Sequence, residues 1–229
     1  MDPASFTKLP VSISTARLQP YIDACEGNLD QALRLYTWNI EASASFWGEL
    51  HVLEISLRNT IHDCMRQRFS QEDWWVNLGV KLTYPQTEML AVALGKAAEN
   101  ARRNNRSLLA DDVIAASVFG FWNAFLGSAK KLQFETLYWQ PFLKNAFPGF
   151  SGTRRNLYKE LDYIRLFRNR VAHHEPIFSR FLIGDHNRIL NIAKVIDPEI
   201  ADYMDSHSRV IECLSRKDRA VTKGFATRF

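Results

Sequence analysis

Apolar side chains recur at intervals of three and four along almost the whole chain, while the apolar/polar alternation of a strand is scarce. That pattern restricts the fold to packed helices. The longest run begins at Asn28, whose side chain suits an N-cap, and continues from Leu29 to about Phe69. Before it, "STARLQPYIDACEG" reads as a short helix closed by Gly27; after it, "EDWWVNLG" reads as a short helix or turn ending at Gly79. Further helices are expected from Pro85 to about Arg103, over "VIAASVFGFWNAFLG" with Asp111 or Asp112 as its cap, and from Arg154 to His174. The stretch "LQFETLYWQPFLKNAFPGF" holds Pro141 and Pro148 and must break into short pieces. Asp185 is expected to cap "HNRILNIAKVI", and Pro198 to open a last helix to about Ser215. With no repeat or linker in 229 residues, one all-α domain is expected over 1–215, followed by a basic, flexible tail over 216–229.

An apolar content of 46% suits a globular core and excludes a disordered chain. The formal charge of +4 is too small to demand a nucleic-acid partner by itself. Its distribution says more, because Arg102, Arg103 and Arg106 cluster, as do Arg154 with Arg155, and Arg165 with Arg168 and Arg170. Cys25, Cys64 and Cys213 are far apart and odd in number, so they indicate free thiols rather than a disulfide framework or a zinc site. The first residues, "MDPASFTKLP", lack a secretory pattern, and no apolar run approaches the ~20 residues of a membrane span. A soluble, cytoplasmic protein is expected.

The densest chemistry lies in "LFRNRVAHHEPIF", Leu166 to Phe178. On a wheel of about 100° per residue, Leu157, Leu161, Ile164, Phe167 and Val171 form an apolar stripe, and Arg168 falls inside it. A guanidinium there needs a partner. Asn169 and His173 are four apart and share an adjacent face. Pro176 should end the helix near His174, placing His173 in the last turn. An imidazole so placed suits proton transfer, and an arginine suits binding of a phosphate. The plainer alternative is that Arg168 pairs with a core carboxylate and the two histidines decorate a helix end. Arg168 and His173 also lie about 140° apart on an ideal helix, so one undistorted helix does not aim both at one phosphate.

"LFRNRVAHHEPIF" resembles the arginine-to-histidine signature of the HEPN superfamily, and most closely that of the Abi-like (abortive-infection) proteins of bacteria. "HVLEISLRNTIH" (His51 to His62) is similar to the family's first core helix, and "SVFGFWNAFLG" and "LYWQPFLKNAFPG" are similar to its later segments. The resemblance spans about Gln31 to Leu214. It implies an all-α helical bundle of the HEPN type, with extra helices at both ends. It also implies a metal-independent endoribonuclease without a cofactor, acting in phage defence or as a growth-arresting toxin. Arg168 would bind the scissile phosphate, His173 would exchange a proton with the 2′-hydroxyl or the leaving 5′-oxygen, and Asn169 would orient them. The products would carry 2′,3′-cyclic phosphate ends. Two motifs would face each other across a homodimer, and an antitoxin or a regulatory RNA would restrain the activity. His174 and Glu175 match the pattern in support roles. A non-catalytic module that holds RNA or a protein is the alternative.

Glu54, Arg58 and His62 follow one another at intervals of four beside the apolar stripe of the first core helix. Glu54 is placed either to pair with Arg58 along the helix or to meet Arg168, with Arg58 and Asn59 lining a phosphate groove. Arg154, Arg155, Arg165 and Arg170 are candidate RNA contacts. Trp74, Trp75, Trp122 and Trp139 suit either base stacking or, more commonly, core packing. His186 and His207 have no metal-ligand spacing, so no metal is expected, and no glycine loop for a triphosphate is present.

Overall fold

Ser14 and Asn28 open two successive helices of the computed structural model, which describes residues 12–224 and 227. Residues 1–11, with their non-secretory sequence, and residues 225, 226, 228 and 229 of the expected tail lie outside the described residues. Ser14 Oγ accepts the Arg17 amide and opens α1 (Thr15–Ala24), which ends before Gly27 at φ +84°. Asn28 Oδ1 accepts the Gln31 amide at 3.1 Å, starting α2 (Leu29–Phe69), 41 residues and so about 60 Å long. Its buried stripe, Leu35, Trp38, Ala42, Phe46, Leu50, Leu53, Leu57, Ile61 and Met65, keeps three- and four-residue spacing and forms the axis of the core.

The remaining helices are α3 (Tyr84–Arg103), α4 (Ala110–Ala116), α5 (Phe119–Ala124), α6 (Arg154–Ala172), α7 (Leu182–Ile196), α8 (Pro198–His207), α9 (Val210–Ser215) and α10 (Lys217–Lys223). Among the described residues all regular structure is helical. Every helix but α3 packs on α2; α3 packs on α4 and α5. The proline-broken stretch forms a π-helical turn at Glu135–Trp139 and a tighter one at Leu143–Ala146. Trp74, Trp122 and Trp139 are buried, and Trp75 meets Trp74 edge-on at 5.4 Å. These indoles pack the core rather than offering faces to bases.

Five expectations change. The helix foreseen over "VIAASVFGFWNAFLG" divides at Ser117 and Val118, which are extended. Ser117 donates to Ile114 O at 2.6 Å and accepts Trp122 Nε1–H at 2.7 Å, local bonds that compete with the helical ladder. Its Asp112 is not the N-cap but the third helical residue, accepting the Leu109 amide and pairing with Arg106. Asp185 likewise caps nothing: α7 starts three residues earlier, and the buried Asp185 carboxylate receives Arg180 through two contacts of 2.9 Å. The helix from Pro198 stops at His207, where Ser208 donates to Glu49 and accepts the Val210 amide. The tail expected from 216 is folded as far as Lys223. Arg216 pairs with Glu41, Lys217 Nζ donates to Phe178 O at 2.8 Å, and Ala220 is buried.

Candidate functional site

Thr153 Oγ1 accepts the Asn156 amide and starts α6, whose stripe Leu157, Leu161, Ile164, Phe167 and Val171 is buried as the wheel requires. Phe167 meets Phe46 of α2 edge-on at 4.9 Å, which fixes the rotation of α6. The helix ends in a Schellman turn: the Glu175 amide donates to Arg170 O and the His174 amide to Val171 O. His174 takes the left-handed position at φ +58°, where glycine is usual. The apolar contact that often closes such a turn is replaced by the Arg170–Glu175 ion pair at 3.3 Å.

The chain beyond the turn is tied down at several points. Arg17 of α1 donates to His174 O. The buried Asn39 of α2 accepts both the Ile177 and Phe178 amides through Oδ1, at 2.8 and 3.0 Å. With Lys217 on Phe178 O, three separate elements grip the His-Glu-Pro-Ile-Phe segment. The motif therefore ends on a fixed, solvent-facing corner.

Arg168 points from α6 towards α2, where its Nε donates to Glu54 Oε2 at 3.1 Å. The pairing foreseen for Glu54 across the helix interface is the one observed. The arginine side chain keeps 31% of its exposure and Glu54 keeps 19%, so the pair is partly solvated. The guanidinium lies 5.8 Å from the Trp47 ring centroid. These groups line a solvent-facing cavity of about 320 Å³ between α2, α6 and the α4–α5 break, together with His51, Arg58 and Ser117. Arg58 is held loosely, by 3.4 Å contacts to Asn59 Oδ1 and Ala115 O. Asn59 is exposed beside it.

His173 is the C-cap residue of α6, exposed, and outside this cavity. Asn169 is half-buried on the same helix. The single chain thus collects Arg168, Glu54 and Arg58, and leaves His173 at the helix end. His62 is separated from the other two of its series, because it is buried and its Nδ1 accepts Trp74 Nε1–H at 3.0 Å. Burial pushes its imidazole below the ordinary histidine value.

The candidate RNA-contacting arginines divide. Arg154 is consumed structurally: it donates to Glu135, Leu126 O and Gly127 O, pinning the end of α5. Arg165 pairs with Asp162 at 2.8 Å and Arg170 with Glu175, both with partly exposed side chains. Arg155 is exposed. Trp47, His51 and Ser117 were not foreseen in the site. The signal for two of them was present, since Trp47, His51, Glu54 and Arg58 follow the same three-and-four spacing along one face of α2.

A second polar cluster is buried. His186 Nδ1 lies 2.8 Å from Glu49 Oε1, which also accepts from Ser208, while Glu49 Oε2 has no partner among the described residues. Among the described residues no group of three His, Cys, Asp or Glu is arranged to hold a metal ion. No helix of the described residues is long and apolar enough to cross a membrane. Comparison with known proteins finds no family model, curated protein or solved structure that matches this chain.

Proposed function

We propose that the chain is a metal-independent endoribonuclease of the HEPN type, acting from the cytoplasm in abortive-infection defence or as a growth-arresting toxin. The observation that carries the reading is the state of Arg168. Only its Nε is engaged by Glu54, and the side chain lines a solvent-open cavity that Arg58 also lines. A guanidinium so held offers two forked donors to a phosphate. Arg168 binds the scissile phosphate and stabilises its developing charge. His173, with Asn169 beside it, moves the proton between the 2′-hydroxyl and the leaving 5′-oxygen. The pairing of Arg165 and Arg170 with acids does not oppose RNA, because exposed ion pairs are worth about 0–1 kcal/mol and exchange readily for phosphate.

The test is incubation of purified protein with RNA in excess chelator, followed by analysis of the new ends. Cyclic 2′,3′-phosphate ends, absent with His173→Ala and with a 2′-deoxy substrate, support the reading. Cleavage that needs added magnesium, or that survives His173→Ala, ends it. A second reading, a module that binds RNA without cutting it, is favoured by one observation: His173 does not line the cavity that holds Arg168. Under that reading both variants and the wild type leave RNA intact, and Arg168→Ala alone weakens binding.

A further inference from the structure

We propose that the cavity beside Arg168 is a subsite for a single nucleotide unit, with its phosphate between Arg168 and Arg58 and its base against Trp47. The inference rests on the reading that this site meets RNA, and it specifies which part of the RNA is held and how.

Three observations carry it. The first is size: about 320 Å³ lies at the lower end of the ~300–1,000 Å³ common for small-ligand sites, room for one unit rather than two. The second is charge. Two guanidinium groups face one carboxylate, leaving an excess of one positive charge, and the His51 imidazole faces the same space. Glu54 takes only Nε of Arg168, so the fork remains available, and the 3.4 Å contacts of Arg58 leave it free to turn onto an anion.

The third observation separates a nucleotide from a bare anion. Trp47 is 46% exposed, on a helix whose other tryptophan, Trp38, is buried. Several large apolar side chains keep such exposure, but of the residues lining this cavity Trp47 is the one Trp, Tyr or Phe. It sits in the cavity wall with the Arg168 guanidinium 5.8 Å from its centroid, so a phosphate on the fork brings its own base or sugar within reach of the ring. Base–aromatic stacking is tolerant of base identity, and the subsite should therefore show little preference among bases.

The test is calorimetric titration of the full chain at low salt with inorganic phosphate, adenosine and adenosine 3′-monophosphate. The nucleotide should bind roughly tenfold or more tightly than phosphate or the nucleoside. Trp47→Leu should reduce nucleotide affinity to that of phosphate and leave phosphate affinity unchanged, whereas Trp47→Phe should retain most of the gain. Arg58→Met should weaken both anions. Equal affinity for phosphate and nucleotide, an unaltered Trp47→Leu variant, or no nucleotide binding at millimolar concentration would each overturn the proposal. RNA cleavage measured in parallel separates the two readings. Cleavage without nucleotide binding removes the subsite and keeps the ribonuclease; Trp47-dependent binding without cleavage does the reverse.

Discussion

His174 holds φ +58°, a conformation that costs a residue with a β-carbon roughly 1–2 kcal/mol and suits glycine. The turn persists because Arg17, Asn39 and Lys217 fix the chain on either side of it. His174→Gly should therefore raise stability by about 0.5–1 kcal/mol in urea titration, since the gain at φ is partly offset by a freer unfolded chain. RNA cleavage should be unchanged. A loss equal to that of His173→Ala would give His174 a chemical role instead. His62 invites a different measurement. The folded chain keeps it neutral, because burial lowers its pKa and the Trp74 N–H needs an unprotonated Nδ1, while the unfolded chain binds a proton near the ordinary 6.5. The unfolded state thus holds more protons below that pH. The His62 contribution is complete above about 6.5 and is lost as pH falls towards the lower folded value. Between pH 7.5 and 5.5 the wild type should lose more stability than His62→Leu, which starts about 1–3 kcal/mol lower because the Trp74 N–H is orphaned. Parallel losses in both proteins would contradict this.

At the scale of elements, the break between α4 and α5 does more than interrupt a helix. It places Ser117 and Val118 in the cavity wall, and it depends on a hydroxyl that serves Ile114 O and Trp122 Nε1–H together. Ser117→Ala should cost about 1–3 kcal/mol, because the buried Trp122 N–H loses its acceptor. Thermal melting with intact helical circular dichroism would check it; an unchanged melting temperature would mean that the extended backbone, not the hydroxyl, sets the break. The sequence pattern could not disclose this break, because apolar periodicity continues across Ser117 and no proline or glycine marks it. Asp185, expected as a cap, is instead held by Arg180 five residues before it, and the helix expected to run from Pro198 to about Ser215 breaks at Ser208, whose hydroxyl is claimed by the distant Glu49. Caps whose partners lie three residues away, at Asn28 and Thr153, were legible or lay within reach of local reasoning. In the site, Glu54 with Arg168 was readable because an arginine in an apolar stripe needs a carboxylate. Trp47 and His51 carry no such demand, because an indole or imidazole on a helix face is equally compatible with packing or solvent, and only the fold shows that their face lines the cavity.

For the whole molecule, the unresolved distance is that between the two halves of the motif. Arg168 turns into the cavity against α2, and His173 stays exposed at the end of α6, about 140° around the helix. A two-fold dimer with both α6 ends in one cleft would bring Arg168 of one protomer towards His173 of its partner without unwinding the last turn. Each protomer would present Arg165, Arg168 and Arg170, already paired with Asp162, Glu54 and Glu175, so the cleft is only modestly positive until a phosphate takes over some of those contacts. Self-repulsion is reduced by the same pairing, and the dimer should form without RNA. Mixing Arg168→Ala with His173→Ala chains tests the arrangement, because a mixed dimer keeps one intact arginine–histidine pair. Random exchange makes half the dimers mixed, each with one working site of two, so activity should recover to about a quarter of wild type. Each variant alone should be inactive. Arg168→Ala should also cost only about 1–2 kcal/mol of stability, less than breaking a fully buried pair, because both partners retain contact with water. No recovery after verified subunit exchange would place arginine and histidine of each site in the same chain, and the last turn of α6 would then have to distort when RNA binds.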